Sequence, residues 1–82
     1  MSGAGHHAVP VVVDARGLRC PLPVIRLAQR AQQGSPGDVI EVWASDPAAR
    51  ADIPAWCRLR GHEFVGARDD ADHTAYTVRL TR

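Results

Sequence analysis

The stretch Gly17-Leu18-Arg19-Cys20-Pro21-Leu22-Pro23 separates a β-branched run from an amphipathic one, and its two prolines fix where a helix can begin. With Cys20 as the N-cap, Pro21, Leu22 and Pro23 take positions N1 to N3. Both prolines then sit in the first turn, where a missing N–H leaves no intrahelical bond unmade. The amides of Leu22 and Val24 remain free to face the Cys20 sulfur, and the positive end of the helix dipole adds to them. An ordinary thiol, with a pKa of about 8.5, is only a few per cent ionised at neutral pH. Lowering that value by about one or two, equivalent to roughly 1.4 to 2.7 kcal/mol, is within reach of a helix terminus plus one or two charge-assisted hydrogen bonds. Arg19 acts in the same direction. Cys20 is therefore expected to be a thiolate and the working residue, in preference to a small apolar side chain filling a helix start.

Upstream, Val9 to Ala15, with Val11, Val12 and Val13, reads as a strand closed by the Arg16-Gly17 turn. Asp14 near its end orients that turn, pairs with an arginine, or is simply solvated. Downstream, Val24, Leu27, Ala28 and Ala31 recur at i, i+3, i+4 and i+7. That spacing predicts a helix of about three turns with one buried face, stopped by Gly34 at C′ and the Ser35-Pro36-Gly37 turn. From Asp38 to Ala44, Ile40, Val42 and Ala44 alternate with Val39, Glu41 and Trp43, giving a second strand with one better-buried face. Trp43, on the more polar face, is either a partner contact or a scattered exposed aromatic of the ordinary kind.

Asp46-Pro47 repeats the cap-and-proline pattern and starts a helical turn through Arg50. Asp52 or Ile53 then caps a second start that carries Pro54 in its first turn. Ile53, Trp56, Cys57 and Arg60 share a face before Gly61 ends the helix. Cys57 reads as a buried free thiol, with a resolving or second transfer role as the alternative. Glu63 to Arg68 is a short strand, Asp69 to His73 an acidic turn, and Tyr76, Val78 and Leu80 against Thr77, Arg79 and Thr81 the last strand of a hairpin. His62 and His73 have no partner evident in sequence and are read as structural or solvated. The order β-α-β-α-β-β predicts an α/β (α+β) two-layer sandwich, with both helices on one face of a four-stranded mixed sheet.

Its 82 residues bound the chain to one domain with a modest core, expected over 9–82 after a disordered tail at 1–8. A net charge of +1 excludes a general nucleic-acid binder working by phosphate neutralisation. All ten basic residues are arginine, which excludes lysine chemistry. No apolar run reaches the length of a membrane span and no secretory pattern opens the chain, so a cytoplasmic protein with free thiols is expected. Position 23 is proline rather than cysteine, which excludes a C-x-x-C redox pair. Cys20, Cys57 and the histidines, His6 and His7 among them, lack the paired spacing of a metal site, so neither metal nor cofactor is expected.

Asp14 to Val24 (DARGLRCPLPV), Pro36 to Asp38 and Asp46 to Cys57 (DPAARADIPAWC) together resemble the TusA/SirA sulfur-carrier family. The resemblance covers most of the chain and includes that family's Cys-Pro-x-Pro signature at Cys20 to Pro23. It implies a sheet of order 1-2-4-3 whose last strand is antiparallel to the others. It also implies that Cys20 takes a sulfane sulfur from a cysteine desulfurase or rhodanese-like donor, holds it as a persulfide and passes it to an acceptor protein. Acceptors in tRNA 2-thiolation, molybdenum-cofactor and sulfur-oxidation pathways are all open. Where close relatives that serve tRNA thiolation often carry an acidic residue, this chain has Leu22.

In this reading Cys20 is the sulfurtransferase nucleophile, and Arg19, Pro21, Leu22 and Pro23 support it. Arg26, Arg58 and Arg60 are candidate docking charges for transient partners of an otherwise monomeric carrier. A helix start that keeps sulfur anionic needs no base of its own, which accounts for the absence of a histidine or carboxylate beside Cys20 in sequence. The alternative is a noncatalytic interaction or RNA-binding regulatory module on the same fold. Binding by such a module survives replacement of Cys20 by Ser, whereas a carrier loses all relay.

Overall fold

The computed structural model describes residues 9–82, so the tail expected at 1–8, with His6 and His7, lies outside the described residues. Six elements follow one another: β1 (Val11–Ala15), α1 (Leu22–Ala31), β2 (Val39–Ala44), α2 (Ala49–Arg60), β3 (Glu63–Asp69) and β4 (Thr74–Arg79). They form one four-stranded sheet of order β1-β2-β4-β3. β1 runs parallel to β2, and β4 runs antiparallel to both β2 and β3. Fold class, strand order and the reversed last strand all match expectation.

Alternation within the strands decides which sheet face the helices cover. Ile40, Val42 and Ala44 of β2 point inward together with Tyr76 and Val78 of β4, and Ile40 pairs with Val78 and Val42 with Tyr76 across the ladder. Leu27 of α1 and Ile53, Trp56 and Cys57 of α2 complete the same cluster, with Val24, Ala28 and Ala31 packed against it. Each fully buried Leu, Ile or Val removed from water in this way contributes about 1.5 to 3 kcal/mol, and such contacts hold the two layers together.

On the uncovered face Trp43 is engaged within the chain. Its ring lies 5.0 Å from that of His73 and 5.1 Å from the Arg16 guanidinium, and its Nε1–H donates to Glu41 Oε1 at 2.8 Å. Asp14 takes the pairing option: Arg16 donates to both of its oxygens, at 2.9 and 2.8 Å, and holds its carboxyl down at about 2.

Several boundaries differ from the sequence reading. β1 starts at Val11 rather than Val9, after Pro10, which has no N–H to give a ladder. α1 ends on a tightened turn in which Gln33 and Gly34 donate to Arg30 and Ala31, so Gly34 is not the left-handed C′ residue. A side chain there would meet Leu80 instead, since a Cβ would stand 2.6 Å from Leu80 Cδ1 and that buried leucine would have to shift. The two helix starts expected at Asp46 and Asp52 are one helix, α2, with Pro54 inside it. Pro54 removes one ladder bond from the helix interior, and burial of Ala49, Ile53, Trp56 and Cys57 on one face carries the helix through it. Gly61 ends α2 as expected, at φ 78, a conformation that a side chain with a Cβ disfavours. Among the described residues no helix is long and apolar enough to cross a membrane.

Candidate functional site

Parallel pairing of β1 with β2 places the carboxyl ends of both strands, and the starts of the helices that follow them, on one edge of the molecule. This is where sheets of this kind assemble sites. Gly17, at φ 80, makes the turn after β1, and its N–H donates to Ser45 Oγ in the turn after β2, at 2.9 Å. Asp46 ties the two turns further. Its Oδ2 accepts the Cys20 N–H at 2.6 Å while its Oδ1 accepts the Ala48 N–H at 3.1 Å. Those two donors, with the nearby positive charge of Arg19, hold the Asp46 carboxyl below its ordinary range.

Cys20 sits one residue further from the helix than expected. The N-cap of α1 is Pro21, and Leu22 opens the helix. The reason is a turn in which the Leu22 N–H donates to the Arg19 carbonyl at 2.8 Å, so this amide is spent before it can face the sulfur. What faces the sulfur instead is a carboxylate from the other helix: the exposed Cys20 Sγ–H donates to Asp52 Oδ2 across 3.1 Å. That hydrogen bond, partial desolvation and the negative charges of Asp52 and Asp46 push the thiol above its ordinary value. The expected resting thiolate is thus corrected to a thiol. Arg19 does not offset this, because its charge falls on Asp46.

Cys20 and Asp52 stand at an open groove of about 340 Å³ between α1 and α2, walled by Pro21, Val24, Ala55, Trp56 and Leu59. Leu59 is 78% exposed, an unusual position for a leucine flanked by arginines. Of the expected supporting residues, Pro23 is buried on the inner side of the first turn of α1, whereas Leu22 is exposed on the same turn. Arg26 and Arg58 are exposed on α1 and α2. Arg60 lines a separate pocket with Gln32, His62 and Arg82. Cys57 is buried at 1% exposure, and desolvation pushes its thiol up to about 11. It lies in the core as expected.

From sequence, Asp46 and Asp52 stand out only as helix caps. Their proximity to Cys20, 26 and 32 residues away, follows from parallel β1–β2 pairing, because two neighbouring parallel strands each followed by a helix bring both helix starts together.

The family model described as Sulfurtransferase TusA matches residues 11–82. A sulfur carrier protein TusA of Pseudomonas aeruginosa is 40% identical over 73 residues, covering 89% of this chain and 92% of that protein. Its counterpart in Pseudomonas putida is 41% identical over 68 residues, covering 83% of this chain and 85% of that protein. Among solved structures, the SirA-like protein from Desulfitobacterium hafniense superposes with a TM-score of 0.75 at 24% identity, over 87% of this chain and 97% of that one, a likeness of fold.

Proposed function

This chain belongs to the sulfurtransferase TusA family, and from that premise we propose that it is a cytoplasmic sulfur carrier whose Cys20 holds the cargo as a persulfide. The observation that carries the assignment is the exposed Cys20 thiol, fixed by its backbone to Asp46 at the mouth of an open, largely apolar groove.

In loading, the Cys20 sulfur, having given up its proton, attacks the terminal sulfur of a donor protein's persulfide. A Cys20–sulfur bond forms, the donor's S–S bond breaks, and its electron pair leaves on the donor cysteine, which takes up a proton. The transfer is redox-neutral. In delivery, an acceptor nucleophile attacks the terminal sulfur and Cys20 leaves as the thiol. The donor fits a cysteine desulfurase or rhodanese-like protein, since both present sulfur as a protein persulfide. Leu22, Leu59 and the groove supply the apolar area for docking; Arg26 on α1 and Arg58 on α2, both exposed, add charge for partners.

Intact mass spectrometry after incubation with a cysteine desulfurase and cysteine tests this. Wild type and Cys57→Ser gain one sulfur atom removable by dithiothreitol, and Cys20→Ser gains none. Equal loading of Cys20→Ser would overturn the assignment, and partner or RNA binding that is indifferent to Cys20→Ser would favour the noncatalytic module.

A further inference from the structure

Resting on the carrier reading, the geometry points to Asp52 as the contact that tells the empty carrier from the loaded one: its carboxylate binds the Cys20 thiol and rejects the Cys20 persulfide, so the carried sulfur is turned away from α2 and given up readily. The empty form meets Asp52 as a neutral S–H donor at 3.1 Å, and a carboxylate can only accept. Loading replaces that S–H by an S–S bond, which removes the donor, and the terminal sulfur of a persulfide is a stronger acid than a thiol. The loaded group is therefore an anion facing an anion.

Among the described residues, no cation on the surrounding elements cancels this repulsion. Asp46 adds a second negative charge that acts on the Cys20 sulfur, and the positive charge of Arg19 is felt at Asp46 rather than at that sulfur. From the groove, Pro21 and Val24 of the first turn and Ala55, Trp56 and Leu59 of α2 contribute apolar surface only. Between them the terminal sulfur has one favourable direction, outward past the groove mouth, where a partner approaches.

Two consequences follow from stabilising one state and destabilising the other. At neutral pH the empty thiol is held protonated and reacts slowly with stray electrophiles and oxidants. The loaded state, lacking that hydrogen bond and carrying the repulsion, releases its sulfur more completely than an unassisted cysteine would. When the acceptor takes the terminal sulfur, the Cys20 sulfur regains a proton and returns to Asp52, which resets the carrier.

The test compares wild type with the isosteric Asp52→Asn, reading Cys20 alone by peptide mass spectrometry. First, iodoacetamide alkylation of the empty form is followed against pH. Asp52→Asn should move the profile to lower pH. For every tenfold gain in thiolate at pH 7 alkylation should speed up on the order of threefold, because the nucleophilicity of that thiolate falls about threefold at the same time. Second, sulfur is added chemically with inorganic polysulfide, and the loaded fraction is measured at equilibrium against glutathione and its persulfide. Asp52→Asn should retain several-fold more sulfur, since its amide can donate to the persulfide anion. Superimposable alkylation profiles, or an unchanged loaded fraction, would overturn the inference. If the asparagine variant fails to fold, Asp52→Ser is read in the same two assays. Neither assay uses a donor protein, so failure of a desulfurase to load Cys20 would remove the carrier reading without deciding this one.

Discussion

Asp46 Oδ2 accepts the Cys20 amide at 2.6 Å, so a carboxylate from the start of one helix fastens the backbone of a cysteine at the start of the other. The same side chain holds the Ala48 amide, which makes it the joint between the two turns. Asp46→Ala should lower the denaturation midpoint and broaden the amide resonances of residues 17–20 by NMR. It should also move the Cys20 alkylation profile toward lower pH, because one of the negative charges that raise this thiol is removed. A rigid loop and an unmoved profile in the variant would show that Asp46 is incidental.

Stability above neutral pH should report on Cys57. The folded-state thiol is raised to about 11 by burial, whereas the unfolded chain titrates at about 8.5. The folded state therefore binds the proton more tightly. Its advantage is complete below the unfolded value and is lost as pH rises through the folded one. Between pH about 9 and 11 wild type should lose on the order of 2 kcal/mol more than Cys57→Ala, measured by urea unfolding across that window. Parallel curves for the two proteins would place Cys57 outside the core.

Leu27 is fully buried between α1 and the sheet. Leu27→Ala should cost about 2 to 5 kcal/mol, the range for a core leucine whose site cannot collapse, which is a large share of the stability of a domain this small. Urea unfolding of the variant measures it directly. A loss under about 1 kcal/mol would mean that α1 is not packed as described.

The groove and the arginines can be separated. Leu59→Asp, at a position 78% exposed, should leave the thermal midpoint nearly unchanged and reduce the rate of enzymatic sulfur loading several-fold. Arg60→Ala, in the pocket beside His62 and Arg82, should affect loading much less. The reverse order in single-turnover kinetics would move the docking face to that second pocket.

The fold was readable because each element carries one dominant signal. Period-two alternation in Asp38 to Ala44 placed Ile40, Val42 and Ala44 inward, and the Val24-Leu27-Ala28-Ala31 spacing placed the buried stripe of α1, both as observed. Pro54 misled, since a proline reads locally as a helix start, whereas the buried face that carries α2 through it is a tertiary effect. Cys20 was legible as a candidate from Cys-Pro-x-Pro. Its protonation state was not, because the deciding group, Asp52, lies 32 residues on and is brought in by strand pairing that no local pattern encodes. A one-residue displacement of the helix start, set by the Leu22 amide bonding to Arg19, removed that amide from the support expected for a thiolate.

The register slip between Phe64 and Gly66 sets Val65 out of line on β3, one of the two outer strands of the sheet, and the other outer strand, β1, is five residues long and begins just after Pro10. Irregular or abbreviated borders are poor templates for a visiting strand. Copies of this chain therefore have little means of zipping together border to border, and polymerisation is discouraged even when the chain is abundant.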